Sequence, residues 1–154
     1  MFQNNNVVIT GSGRGIGRAL ALAFAQQGAT TLVHYGHAKQ EAEEVVRQVT
    51  AMGGKAMLAQ ADLSRPEEAY QLVTQAYTML GSIDVWINNA GASANSEETQ
   101  GLSEEERFER VLAVDVMGTW CCCRAVSTSR PRQRIRLLPA AHGRLSSHGI
   151  QSKR

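Results

Sequence analysis

Gly11-Ser12-Gly13-Arg14-Gly15-Ile16-Gly17 follows directly on the apolar run Val7-Val8-Ile9-Thr10 and opens into an amphipathic stretch. A glycine-rich turn between a strand and a helix directs backbone amides and the positive end of the helix dipole at one point, which suits a pyrophosphate. The glycines permit a tight turn, close phosphate approach and close helix packing; a side chain at Gly17 would crowd the helix against the sheet. Two further polar clusters, Ala61-Asp62-Leu63 and Asn88-Asn89-Ala90-Gly91, also follow predicted strands. Asn88-Asn89 alone would read as a plain turn pair. Cys121, Cys122 and Cys123 are consecutive, a spacing that suits neither a disulfide framework nor a tetrahedral zinc site, so a reduced, helical, partly buried run is expected and no metal.

These residues need a scaffold that brings strand ends together, and the chain has the periodicity for one. Short β-branched runs alternate with longer helical patterns, the signature of βαβ units feeding a parallel sheet. Strands are expected at Val7–Thr10, Thr31–Val33, Ala56–Ala59 and Ile83–Ile87. Helices are expected at Gly15–Gln27, at Lys39–Met52 and from Ser64 to about Leu80. Ser64-Arg65-Pro66-Glu67 fits a capping box with Ser64 as N-cap, and Ser103-Glu104-Glu105-Glu106 caps a further helix carrying Phe108, Val111, Leu112 and Val114. The order βαβαβαβα predicts an α/β, Rossmann-type doubly wound parallel sheet, represented by its first four strands.

Three motifs in this order resemble the classical short-chain dehydrogenases/reductases. Thr10 to Gly17 is similar to the T-G-x-x-x-G-x-G motif of that family, Asn88-Asn89-Ala90-Gly91 to its N-N-A-G, and Asp62 to its adenine-binding Asp after the third strand. The likeness covers about residues 6–126 and is closest to the group containing 3-oxoacyl-carrier-protein reductases and glucose-dehydrogenase-like enzymes. It implies an NAD(P)-binding site in which Gly11, Ser12, Arg14 and Ile16, on the turn built by Gly13, Gly15 and Gly17, contact the phosphates and adenosine end. It further implies that Asp62 accepts from the adenine amino group beside the Leu63 amide, and that Asn89, Ala90 and Gly91 border the adenosine ribose.

The choice of dinucleotide is a question of charge. A carboxylate about 20 residues after the first glycines normally binds the 2′-OH of NAD and repels a 2′-phosphate. Here the second strand ends in His34-Tyr35-Gly36-His37-Ala38-Lys39, without an acid, and Arg14 lies in the glycine turn. NADP is therefore expected over NAD, with solvated surface charges as the alternative reading of Arg14 and Lys39.

The family resemblance also implies a Ser, a Tyr-x-x-x-Lys pair and an Asn as catalytic groups. The three tyrosines are Tyr35, Tyr70 and Tyr77. Tyr35 and Lys39 have the right spacing but follow the second strand, on the adenosine side, and read as a decoy; Tyr70 and Tyr77 lie in the helix before the fourth strand with no Lys at i+4. Asp115 stands where the family has Asn, exchanging an amide that can donate for a carboxylate that, ionised, only accepts. No catalytic set is therefore assigned, and the chain is expected to be inactive as written. Gly143 to Ser147 is only faintly similar to the strand leading to the family's catalytic Ser.

The 154 residues are 43% hydrophobic and 19% charged, in the range of one globular domain. The formal charge of +2 hides a split: all 14 acidic residues lie at or before Asp115, whereas half of the 16 Lys and Arg lie beyond it. Family likeness stops near the same place, as a reading-frame change or truncation after about Cys123 would produce. Residues 1–127 are expected to form an incomplete Rossmann domain and 128–154 a basic, disordered tail. Such a chain would leave the fourth strand with an exposed apolar edge.

The polar start and the lack of an apolar run of roughly 18 residues predict a cytoplasmic protein without membrane contact. The tail lacks aromatics for base stacking, which argues against nucleic acid. The leading expectation is the NADP-binding portion of an oxidoreductase that moves hydride between the nicotinamide and a carbonyl or secondary alcohol. The alternative is a non-catalytic nucleotide-binding or dimerising module, forming homo- or hetero-oligomers by pairing with a full-length relative through the helices after the fourth strand.

Overall fold

The computed structural model describes residues 1–94 and 99–129 in full and the backbone of 136–138. The elements run β1 (Asn6–Ile9), α1 (Gly15–Gln26), β2 (Thr30–Tyr35), α2 (Lys39–Ala51), β3 (Lys55–Gln60), α3 (Pro66–Leu80) and β4 (Val85–Ile87). After β4 come α4 (Glu104–Val111), a π-helical segment (Leu112–Gly118), α5 (Thr119–Thr128) and β5 (Arg136–Leu138). The strands form one parallel sheet in the order β3-β2-β1-β4-β5.

β1 is central, and Val7, Val8 and Ile9 are fully buried because these β-branched residues serve both faces. Val7 and Ile9 pack with Val33 against Ala21 of α1 and Ala42 and Val45 of α2. Val8 points the other way and joins Leu32 and Trp86 against Leu72 and Val73 of α3 and Cys121 and Val126 of α5. Alternation along the strand thus makes two helical layers on one sheet. β1 pairs with β2 through Val8↔Leu32 and with β4 through Val8↔Trp86, which brings the carboxyl ends of three strands side by side.

Three expectations are corrected. Ser64 does not cap α3; the N-cap is Arg65, which makes no side-chain capping bond. The Ser64 hydroxyl instead donates to Asp62 Oδ1 at 2.7 Å, and Glu68 rather than Glu67 reaches back, its Oε2 accepting the Asp62 N–H at 2.6 Å. An Asx-type turn two residues back outcompetes the cap. The capping box at Ser103 and Glu106 is present as expected.

The irregular tail is interrupted by β5, which pairs with β4 through Trp86↔Leu137, so the outer side of β4 is not an open edge. Three residues of an Arg-rich run carry no strand period; the ladder offered by β4 is what orders their backbone. The rest of 130–154, including Gly143 to Ser147 and the expected disorder of the tail, lies outside the described residues.

The helical run Glu104–Thr128 is, by length and composition alone, long and apolar enough to cross a membrane, a test that the core helix of a soluble protein also passes. Its inner face is core: Cys121, Cys122, Ala125 and Val126 are buried with Ala69, Leu72, Val73 and Ala76 of α3. All three cysteines are free, and burial, followed by the neighbouring Cys123 and Cys121, pushes the Cys122 thiol up to about 12.

Candidate functional site

The polar clusters converge on one cleft of about 320 Å³ at the carboxyl ends of β1 to β4. This is where parallel α/β sheets open, since neighbouring strands send their connections to opposite faces. Of the expected site residues, Gly11, Gly13, Arg14 and Ile16 line it from the first turn, Asp62 and Leu63 from the third strand, and Asn89, Ala90 and Gly91 from the fourth. Ser12, Gly15 and Gly17 are not part of its lining. Ser12 is fully buried; its hydroxyl donates to Ile9 O at 2.8 Å and accepts the His34 N–H at 3.0 Å, so it shapes the turn from behind.

Thr10 and Asn89 hold the two central strand ends together. Thr10 Oγ1 accepts the Asn89 and Ala90 N–H groups, each at 3.0 Å. Asn89 Nδ2 donates to both Thr10 O and Gly11 O, also at 3.0 Å. The Asn88 amide is used inward: its Oδ1 accepts from Trp86 Nε1 at 2.9 Å and its Nδ2 donates to Cys123 Sγ at 3.1 Å.

His34 is a residue that the motifs did not single out as part of the site. It is 1% exposed, lines the cleft and joins two strand ends. Its Nδ1 accepts the Gly11 N–H and its Nε2 faces Ala61 O, both at 3.0 Å. Only the neutral Nε2–H tautomer satisfies both contacts. Burial lowers its pKa to about 4, against a smaller opposing effect of the Ala61 carbonyl. A histidine at the end of a strand of mixed pattern carries no sequence signal for this bridge, because both partners are distant in the chain.

Asp62 sits at the far end of the cleft. Burial alone would raise its carboxyl, but the hydroxyl and amide of Ser64 and the charges of His37 and Arg110 outweigh that and hold it below the usual value. Arg110 reaches the cleft from α4, and its Nη2 lies 3.3 Å from His37 Nε2. Sequence reasoning missed both residues as a pair; that Arg110 and Val114 share a helix face was readable, the strand end opposite them was not.

Lys39 does not line the cleft; its Nζ pairs with Glu43 at 3.6 Å along α2. Tyr35 lines the cleft without it. Asp115 lies in the π-helical segment, and its Oδ1 accepts the Ala92 N–H at 2.7 Å, tying that segment to the loop after β4. This contact needs only an acceptor, the half of an asparagine amide that aspartate keeps. Gly118 permits the close approach: a Cβ there would lie 2.5 Å from Leu63 O.

The cleft fits the phosphate-bearing half of a dinucleotide. The N-cap of α1 is Arg14, which contributes no side-chain capping bond, and the first turn holds no acid. Helix amides and the positive dipole end therefore have no side-chain anion from their own turn, while Gly13 and Ile16 open onto the cleft. A Cβ at Gly11 would lie 2.7 Å from Ala90 Cα, so the turn and the fourth strand approach as only glycine allows.

Comparison with known proteins agrees with this geometry. The profile of the short chain dehydrogenase family matches residues 5–134. An uncharacterised oxidoreductase of Methylorubrum extorquens is 40% identical over 123 residues, 78% of this chain and 48% of that protein. A 3-oxoacyl-[acyl-carrier-protein] reductase of Staphylococcus epidermidis is 30% identical over 131 residues, 85% of this chain and 53% of the relative. Among solved structures, a short chain dehydrogenase of Burkholderia cenocepacia in complex with NADP superposes with a TM-score of 0.72 at 29% identity, covering 82% of this chain and 51% of that one. The chain spans about half the length of the relatives it matches.

Proposed function

This chain belongs to the short-chain dehydrogenase family, and from that premise we propose that it binds the adenosine and pyrophosphate half of a nicotinamide dinucleotide, NADP in preference to NAD. The observation that carries the reading is the meeting of an uncapped helix N-terminus, the Asp62 carboxylate and the Asn89–Gly91 loop in one cleft. In this reading the amides of the first turn of α1 hold the pyrophosphate, Asp62 accepts from the adenine amino group beside Leu63, and Asn89 to Gly91 border the ribose. Gly15 and Gly17 shape the turn, and Ser12 locks it to β2. Arg14 beside the cleft, and no acid in the segment Gly36 to Lys39 that follows β2, support the 2′-phosphate. The bound cofactor would supply the hydride for a carbonyl or secondary alcohol. The chain's own part is to fix one end of that cofactor and keep the turn rigid.

Titrating the chain with NADPH and NADH and following nicotinamide fluorescence tests this. NADPH is expected to bind about tenfold or more tightly than NADH, the margin of one charge-assisted contact. Equal or tighter binding of NADH would remove the cofactor preference, and binding unchanged by Gly15→Trp would remove the site. No NADPH consumption is expected with ketones or 3-oxoacyl thioesters, because Tyr35 sits on the adenosine-side wall and Lys39 is held by Glu43. Turnover abolished by Tyr35→Phe would overturn that assignment.

A second reading, as a pairing module, is favoured by one specific surface. Phe108, Leu112, Val116 and Trp120 recur every fourth residue along α4, the π-helical segment and α5, and are 40–61% exposed. The Arg124 guanidinium lies 5.1 Å from the Trp120 ring centroid, adding a cation–π contact at the end of the stripe. A continuous apolar stripe of this kind marks an association surface. Light scattering coupled to size exclusion is expected to show a dimer that Val116→Glu converts to monomer while NADPH affinity is kept. A wild-type monomer at tens of micromolar would exclude the pairing.

A further inference from the structure

We propose that Arg110, on α4, is the residue that distinguishes a 2′-phosphate from a 2′-hydroxyl on the adenosine ribose, acting opposite His37 and together with Arg14. The proposal rests on the reading of the cleft as a dinucleotide site and adds a specificity residue from an element that the glycine turn and β2 do not include.

Two nitrogen-bearing side chains from distant parts of the chain meet at the adenosine end. Arg110 Nη2 donates to His37 Nε2 at 3.3 Å across a separation of 73 residues. Among the described residues Arg110 forms no ion pair within 4.0 Å, although its charge acts at longer range on Asp62. Asp62, the one carboxylate among the described residues of the cleft lining, has Oδ1 bound by Ser64 N–H and Oγ and Oδ2 turned to His37 at 3.9 Å. Arg14 and Arg110 both line the cleft, whereas Lys39 is drawn off to Glu43. Among the described residues, the Arg110 guanidinium and the His37 imidazole thus meet at one end of the cleft beside Asp62.

The 2′-phosphate is the only group by which NADP differs from NAD, and it is carried by the adenosine ribose, the half that this cleft takes. In this reading the Arg110 guanidinium at this end is felt by the extra phosphate of one dinucleotide and by no corresponding group of the other. A guanidinium fork is the side chain best matched to phosphate oxygens, and Arg110 lines the cleft in contact with the His37 imidazole.

Calorimetric titration with two small probes, adenosine 2′,5′-bisphosphate and 5′-AMP, separates the phosphate from the base. Arg110→Gln is expected to weaken the bisphosphate about 10- to 100-fold while 5′-AMP changes less than about twofold; Arg110→Lys, which keeps charge without the fork, is expected to fall between. Equal losses for both probes would assign Arg110 to the adenine ring and overturn the proposal, as would bisphosphate binding unchanged in Arg110→Gln. If neither probe bound the wild-type chain, the dinucleotide reading itself would fall. Coincident thermal melts of wild type and Arg110→Gln are expected, since the side chain is half-exposed on α4.

Discussion

Gly17→Ala is expected to unfold most of the chain under conditions where Gly15→Ala leaves it folded, although the two glycines lie in the same turn. A Cβ at Gly17 would stand 2.4 Å from both Gly11 O and Asn89 Nδ2, and 2.8 Å from Ser12 Cα. Two of these are backbone atoms of the turn, and the third is the donor that bridges Thr10 O and Gly11 O. Relief requires moving the turn or expelling the Asn89 amide, with loss of the bonds that join the ends of β1 and β4. Overpacking of this kind costs about 1–3 kcal/mol, and each bridging bond adds about 1 kcal/mol. A total of roughly 3–5 kcal/mol is a large part of the 5–15 kcal/mol typical of a domain. At Gly15, φ is +55° and nothing lies within 4 Å of an added Cβ, so the left-handed backbone alone costs about 1–2 kcal/mol. Urea titrations of the two variants check this. Gly17→Ala within about 0.5 kcal/mol of wild type, or Gly15→Ala the worse of the two, would show that the turn packs otherwise.

Stability is expected to fall by roughly 3 kcal/mol between pH 6.5 and pH 4 through His34 alone. Burial lowers its pKa from 6.5 to about 4 in the folded chain. Between those values the unfolded chain binds the extra proton and the folded chain does not, so stability rises with pH across this window and is lost as pH falls. The structural cost is specific. A proton on Nδ1 would replace an acceptor with a donor facing the Gly11 N–H, releasing the glycine turn from β2. His34→Gln offers one acceptor and one donor without a titrating ring, and carboxylates common to both proteins cancel in the difference. Denaturant titrations from pH 4 to 7 should show a slope in the wild type that the variant lacks. Parallel curves would mean that His34 remains neutral, or charges freely, in both states.

The alternation of apolar runs and helical periods carries the parallel sheet because each of β1 to β4 is buried by neighbours that the same pattern generates. The glycine turn was legible for a similar reason: its chemistry is set by backbone freedom over seven consecutive residues. Ser103 capped its helix as read, since the box is complete within four residues and nothing nearby competes. Ser64 did not, because Asp62 offered its hydroxyl a nearer acceptor.

What lay beyond the sequence is what long-range contact decides. β5 exists because β4 presents a ladder to Arg136–Leu138, not because those residues favour a strand. The π-helical segment brings Asp115 to the Ala92 amide, a fit between a helix and a loop 23 residues apart. His34 and Arg110 gained their places only when partners at Gly11, Ala61 and His37 came within hydrogen-bond reach. Local spacing determined where the glycine turn between β1 and α1 falls. Tertiary packing decided which buried imidazole holds the turn and which guanidinium meets His37 in the cleft, since a side chain's electrostatic neighbours are fixed by the folded surface and not by its place in the chain.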